Sequence, residues 1–122
     1  MSARDAGFVL YHNPRCSKSR QALELLRGRG IEPRIVLYLE TPPDAEALRR
    51  LLVALDLGAS ELLRKGEPEY AALGLGDPAL DDAALVAAMA AHPRLIERPI
   101  LLRGARAVIG RPPERVLELA AP

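Results

Sequence analysis

The chain has 122 residues, 49% of them hydrophobic, and a formal net charge of +1. That length suits one domain with a real core, and the near-neutral charge gives no argument for nucleic acid or a membrane surface as a partner. Its single cysteine cannot close an internal disulfide, which excludes a secreted disulfide scaffold. With no apolar run of ~18 residues and no leader pattern in Met1–Asp5, a reducing cytoplasm is the expected compartment.

Taken in chain order, Phe8–His12 is apolar enough for a buried strand. Residues 17–28 carry a helical pattern, with Gly28 and Gly30 as stop signals. Arg34–Leu39 is apolar and β-branched, a second strand. A helix between two strands predicts a right-handed βαβ unit with the strands parallel. Thr41-Pro42-Pro43-Asp44 breaks the chain, and Leu48, Leu51, Leu52 and Leu55 mark one face of a helix over 44–57, stopped by Gly58. Ser60–Arg64 predicts a short capped helix, and 66–80 a loop with helical turns. Asp81 or Asp82 caps a helix running to about His92, and Pro93 ends it. Pro99–Leu102 and Ala105–Ile109, joined through Gly104, predict a hairpin. Residues 113–120 form a last helix. The order βαβ, helical insert at about 42–95, then ββα describes one α/β domain over 1–122. Its architecture is a thioredoxin-like four-stranded mixed sheet flanked by helices.

Cys16 falls where strand–loop–helix geometry puts a side chain at a helix start. Free N–H groups and the positive dipole end stabilise an anion there. Arg15, Lys18 and Arg20 crowd the thiol in sequence, with His12 upstream. A cysteine that merely filled a core would have apolar neighbours instead. This setting predicts a thiol of lowered pKa, populated as the reactive thiolate. The motif is Cys16-Ser17-Lys18-Ser19, with no second cysteine, so any disulfide must form with another molecule.

Other oxyanion chemistry fails on spacing. A Cys-x5-Arg phosphate loop needs arginine at position 22, which is alanine. One cysteine and two distant histidines offer no metal cluster, and no Gly-rich nucleotide motif is present.

Several segments together resemble the ArsC-type, glutathione- and glutaredoxin-coupled arsenate reductase family. They are His12-Asn13-Pro14-x-Cys16-x-x-Ser19-Arg20, Tyr38-Leu39-Glu40-Thr41-Pro42-Pro43, Leu62-Leu63-Arg64-Lys65, His92-Pro93, Arg98-Pro99-Ile100 and Arg111-Pro112. The run Arg15-Cys16-Ser17-Lys18-Ser19 is similar to one subgroup. The resemblance implies that Cys16 is the nucleophile toward arsenate and that Arg64, Arg98 and Arg111 bind the oxyanion. It implies that His12, Ser19 and Arg20 support the thiol, and that Pro99 is the fold's cis-proline. It also implies glutathione as co-substrate and glutaredoxin as partner, with no bound cofactor and no metal.

Arginine suits a tetrahedral oxyanion because its planar fork makes paired, charge-assisted hydrogen bonds. The missing second cysteine is consistent with thiols supplied from outside. A reductase of another substrate, or a non-enzymatic thioredoxin-fold interaction or regulatory module, is the alternative.

Overall fold

The structure, a computed structural model, describes residues 7–120; Met1–Asp5, read above for a leader pattern, lies outside them. The chain divides into two compact units. One runs to Thr41 and resumes at Arg98, and the other is Pro42–Glu97.

The first unit contains β1 (Phe8–His12), α1 (Ser17–Gly28), β2 (Arg34–Leu37), β3 (Ile100–Arg103), β4 (Arg106–Ile109) and, after α2–α5 of the second unit, α6 (Leu117–Ala120). The sheet order is β2-β1-β3-β4. β1 pairs with β2 in parallel, Val9 to Arg34 through His12 to Leu37. It pairs with β3 antiparallel, Phe8 to Arg103 through Tyr11 to Ile100. β3 and β4 form the hairpin, with Ile100 opposite Ile109 and Gly104 at φ +61 in its turn. The expected four-stranded mixed sheet is therefore present, with β1 and β3 at its centre.

Alternation along β1 sends Phe8, Leu10 and His12 to the buried side. Phe8 and Leu10 join Leu23 and Leu26 from α1, Leu101 and Val108 from the hairpin, and Val116 and Leu119 near the end of the chain in one apolar core. Arg103 ties that end down. Its Nη1 donates to the Leu119 carbonyl at 2.8 Å, and its guanidinium lies 4.6 Å from the centre of the Phe8 ring.

Two boundaries differ from expectation for local reasons. β2 stops at Leu37 because the Glu40 and Thr41 N–H groups both donate to the Leu37 carbonyl, each at 2.9 Å. That curls Tyr38 and Leu39 into a turn, although Tyr38 is buried. The last helix begins as a 3₁₀ turn at Pro113–Val116 before becoming α6, in keeping with a proline that offers no N–H to the ladder.

The second unit holds α2 (Ala45–Leu55), α3 (Ala59–Leu62), α4 (Pro68–Ala72) and α5 (Asp82–Ala91). Asp44 and Asp81 cap α2 and α5, accepting from Ala47 N–H at 2.8 Å and Ala84 N–H at 2.9 Å. α2 ends two residues earlier than expected, at Leu55, and Asp56 after it takes the left-handed conformation at φ 57. Gly58 instead begins α3, its N–H bonded to Glu61 Oε1 at 3.0 Å. α2 and α3 both pack on α5, burying Leu48, Leu51, Leu62 and Met89.

Leu26 is fully buried in the core of the first unit, whereas Val53 on α2 is 82% exposed. Leu26→Ala should cost ~2–5 kcal/mol, and Val53→Ala should stay within about 0.5 kcal/mol. Urea unfolding followed by circular dichroism measures both.

Candidate active site

Register builds the site. Tyr11, Ile100 and Ile109 lie in one row across three strands. The residues just beyond that row therefore meet at one end of the sheet: His12 and the Asn13–Cys16 turn, Arg98-Pro99, and Gly110-Arg111. The Arg98–Pro99 bond is cis, as the resemblance implies, and so is Arg111–Pro112. The Gly110 N–H donates to the Pro99 carbonyl at 2.8 Å. A Cβ on Gly110 would stand 2.9 Å from both Pro99 Cγ and Val116 Cγ1, so only glycine fits this approach without movement of those neighbours. Sequence reading gave Gly110 no part here, because the close approach comes from a segment eleven residues away.

Cys16 is the N-cap of α1, with extended backbone at φ −93, ψ 122. Its own N–H donates to the Asn13 carbonyl at 3.0 Å, and its carbonyl accepts from Arg20 N–H at 3.0 Å. Asn13 shapes the turn, with Oδ1 accepting from Arg15 N–H at 3.0 Å. The thiol is half-buried. Burial raises its pKa, but the Ser19 N–H, the Arg98 charge, the Lys18 N–H and a hydrogen bond from Arg98 outweigh this, and the thiol lies below its ordinary value. The thiolate thus rests on a helix start and one arginine. The cationic neighbours act differently from what their proximity in sequence suggests: Arg15 plays no part, and Lys18 acts through its backbone N–H.

Beneath the thiol, Ser19 is fully buried and His12 nearly so. Ser19 Oγ accepts from Asn13 N–H at 3.0 Å and shares a 2.6 Å hydrogen bond with His12 Nδ1. Burial, then the charges of Arg27 and Arg20, push the His12 pKa down, so the imidazole is neutral near pH 7. Arg20 is exposed and its Nη1 donates to the Pro14 carbonyl at 2.9 Å. It acts on the histidine rather than on the sulfur.

Of the three arginines named from sequence, Arg98 touches the thiol, and Arg111 sits beside it, Nη1 donating to the Arg98 carbonyl at 3.2 Å. Arg64 belongs to the second unit, where Glu67 holds its Nη2 at 3.1 Å and Glu97 lies 4.0 Å from its Nε. Glu67 is shared with Arg94 at 3.0 Å. Among the described residues, no group of three histidine, cysteine or acidic side chains is placed to hold a metal ion, and no helix is long and apolar enough to cross a membrane.

A mixed four-stranded sheet with a stabilised thiolate at the start of the helix after its first strand defines a thioredoxin-like thiol protein. The ArsC family matches residues 11–119, and the chain belongs to it. The Escherichia coli protein YfgD is 54% identical over 111 residues, 90% of this chain and 93% of its own length. An arsenate reductase from Neisseria meningitidis is 47% identical over 108 residues, 88% of this chain and 92% of that one. A solved arsenate reductase structure from Vibrio cholerae matches with a TM-score of 0.89 at 53% identity, covering 91% of this chain and 95% of the other.

The rate of Cys16 alkylation against pH should give a midpoint below the ~8.5 of a free thiol. Arg98→Met should raise that midpoint clearly. Arg15→Gln should move it far less, because the Arg15 charge does not act on the sulfur.

Proposed function

We propose that the protein reduces arsenate to arsenite, with the Cys16 thiolate as nucleophile and external thiols as the electron source. The observation that carries this reading is the place of Cys16 at the N-cap of α1, where Ser19 N–H, Arg98 and Lys18 N–H lower the pKa of its thiol. The 47% identity to an arsenate reductase along most of both chains supports it.

The chemistry follows from the residues. Arsenate is mostly a dianion near neutral pH. Arg98 and the α1 start supply positive charge and donors where it would meet the sulfur, and Arg111, beside Arg98, adds a second guanidinium. A part for Arg64 in holding the oxyanion rests on the family resemblance. Cys16 Sγ forms a bond to arsenic as one arsenate oxygen departs as water. Glutathione sulfur then bonds to arsenic as a second arsenate oxygen departs as water. A second thiol, from glutaredoxin, takes the glutathione sulfur as a mixed disulfide and leaves the electron pair on arsenic. Hydrolysis releases arsenite and restores the thiol. Overall, arsenate, two thiols and two protons give arsenous acid, one disulfide and water. The absence of a second cysteine fits this external supply, as does a reducing cytoplasm. His12 and Ser19 hold the turn that presents Cys16. No resident cofactor or metal takes part in this scheme.

Arsenate-dependent NADPH consumption, coupled through glutathione, glutathione reductase and glutaredoxin, tests the reading. Cys16→Ser should abolish it, since a hydroxyl is far less acidic than a thiol. Arg98→Lys keeps the charge but loses the fork, and should lower kcat/KM by about 10- to 100-fold. Arg27→Lys, whose native guanidinium pairs with Glu32 at 2.9 Å on the surface, should behave as wild type. Absence of arsenate-dependent turnover in the native protein would move the reading to a non-enzymatic module.

A further inference from the structure

Arg98 both places its charge on the Cys16 sulfur and hydrogen-bonds it. An arginine side chain has several rotatable bonds, and holding one pose costs it much freedom. A lasting contact therefore needs a fixed backbone to start from. Arg98 precedes β3, which begins at Ile100, so the ladder of that strand does not hold it.

The segment after β4 does. The Gly110 N–H donates to the Pro99 carbonyl at 2.8 Å, and Arg111 Nη1 donates to the Arg98 carbonyl at 3.2 Å. Two consecutive residues thus hold the carbonyls of two consecutive residues. The approach is tight as well as bonded. A Cβ on Gly110 would stand 2.9 Å from Pro99 Cγ and 2.9 Å from Val116 Cγ1. Val116 is fully buried in the core and its branched side chain is stiff, so it has no room to retreat. The Pro99 ring moves only with its backbone, and its nitrogen is bonded to the Arg98 carbonyl carbon. A push on Pro99 is therefore passed to Arg98. Gly76 differs, because its nearest neighbour is the Tyr70 hydroxyl at 3.0 Å, the end of a side chain that can swing away.

We propose that Gly110 and Arg111 are positioning residues for Arg98: together they clamp the Arg98–Pro99 backbone and so keep the Arg98 guanidinium on the Cys16 sulfur. Gly110 contributes by what it lacks, since only a residue without Cβ lets the two segments close. Arg111 contributes through the Arg98 carbonyl. That contact occupies one N–H of a guanidinium that has five, and the others stay available to an oxyanion. The second task belongs to the reductase reading, and the clamp does not depend on it.

The pH profile of Cys16 alkylation by iodoacetamide tests the clamp with no oxyanion present. Below the midpoint the rate follows the thiolate fraction. Arg111→Met and Gly110→Ala, each alone, should raise the midpoint and slow alkylation about threefold at a fixed pH below it. In the Arg98→Met background neither change should move the midpoint further, because the guanidinium that the clamp serves is gone. Arg106→Gln, an exposed cation at the far end of β4, should leave the midpoint alone. Circular dichroism checks the fold of each variant. If Gly110→Ala does not fold, Arg111→Met decides alone, since that side chain is only half-buried and the change adds no bulk. An unchanged midpoint in either folded variant would overturn the proposal. So would an equal rise in the Arg98→Met background, which would mean that the residue acts on the sulfur without Arg98, or an equal rise from Arg106→Gln. Failure of arsenate turnover in the coupled assay bears on the reductase reading alone, since no arsenate enters this experiment.

Discussion

Tyr11 stands opposite Ile100, and Ile100 opposite Ile109. Because strand pairing sets register for whole segments at once, that row decides where three distant loops end. β1 delivers the Asn13–Cys16 turn, the start of β3 delivers Arg98 and Pro99, and the end of β4 delivers Gly110 and Arg111. A slip of one residue in either antiparallel pair would turn Leu101 and Val108 out of the core and carry Arg98 away from the thiol. The apolar faces that hold the sheet on α1 therefore also hold the chemistry in place.

The sulfur sits in a balance of opposed effects. Burial disfavours the anion, and two backbone N–H groups with one guanidinium reverse that. The imidazole below meets the opposite logic. Burial and two nearby arginines disfavour its cation, so His12 stays neutral and can share a hydrogen bond with Ser19 without adding charge. Both groups have pKa values lowered in the folded state. Their contribution to stability is present above the unfolded values and is lost as pH falls through the folded ones. The lowered thiol pKa lets the Cys16 thiolate form at lower pH than in a free cysteine.

The helices between β2 and β3 form a compact unit of their own, capped by Asp44 and Asp81 and stitched by the bridge between Leu63 and Ile96. Arg64 is anchored there rather than left to roam, with Glu67 and Glu97 on its guanidinium. Glu67 also serves Arg94, so these side chains hold one another in fixed geometry. Such anchoring lowers the entropy cost of any ordered contact that the arginine makes.

Much of this was legible in the sequence. Apolar periodicity placed every strand and each of the longer helices, because burial against one face imposes a period of two or 3.6. The position of Cys16 after the first strand marked it as a helix start, and helix starts favour anions wherever they occur. Ordered motifs along the chain carried the family. What they could not settle was which charges act. Arg15 and Lys18 adjoin Cys16 in the chain, yet the charge on the sulfur comes from Arg98, 82 residues further on. Likewise nothing local marked Gly110 as the place where Pro99 packs, or Asp56 rather than Gly58 as the end of α2. Sequence determines the local preferences of backbone and side chain, for which neighbours in the chain suffice. Only the tertiary structure decides which distant groups share a few ångströms, and at that range direction and distance, more than proximity along the chain, govern hydrogen bonds and charge.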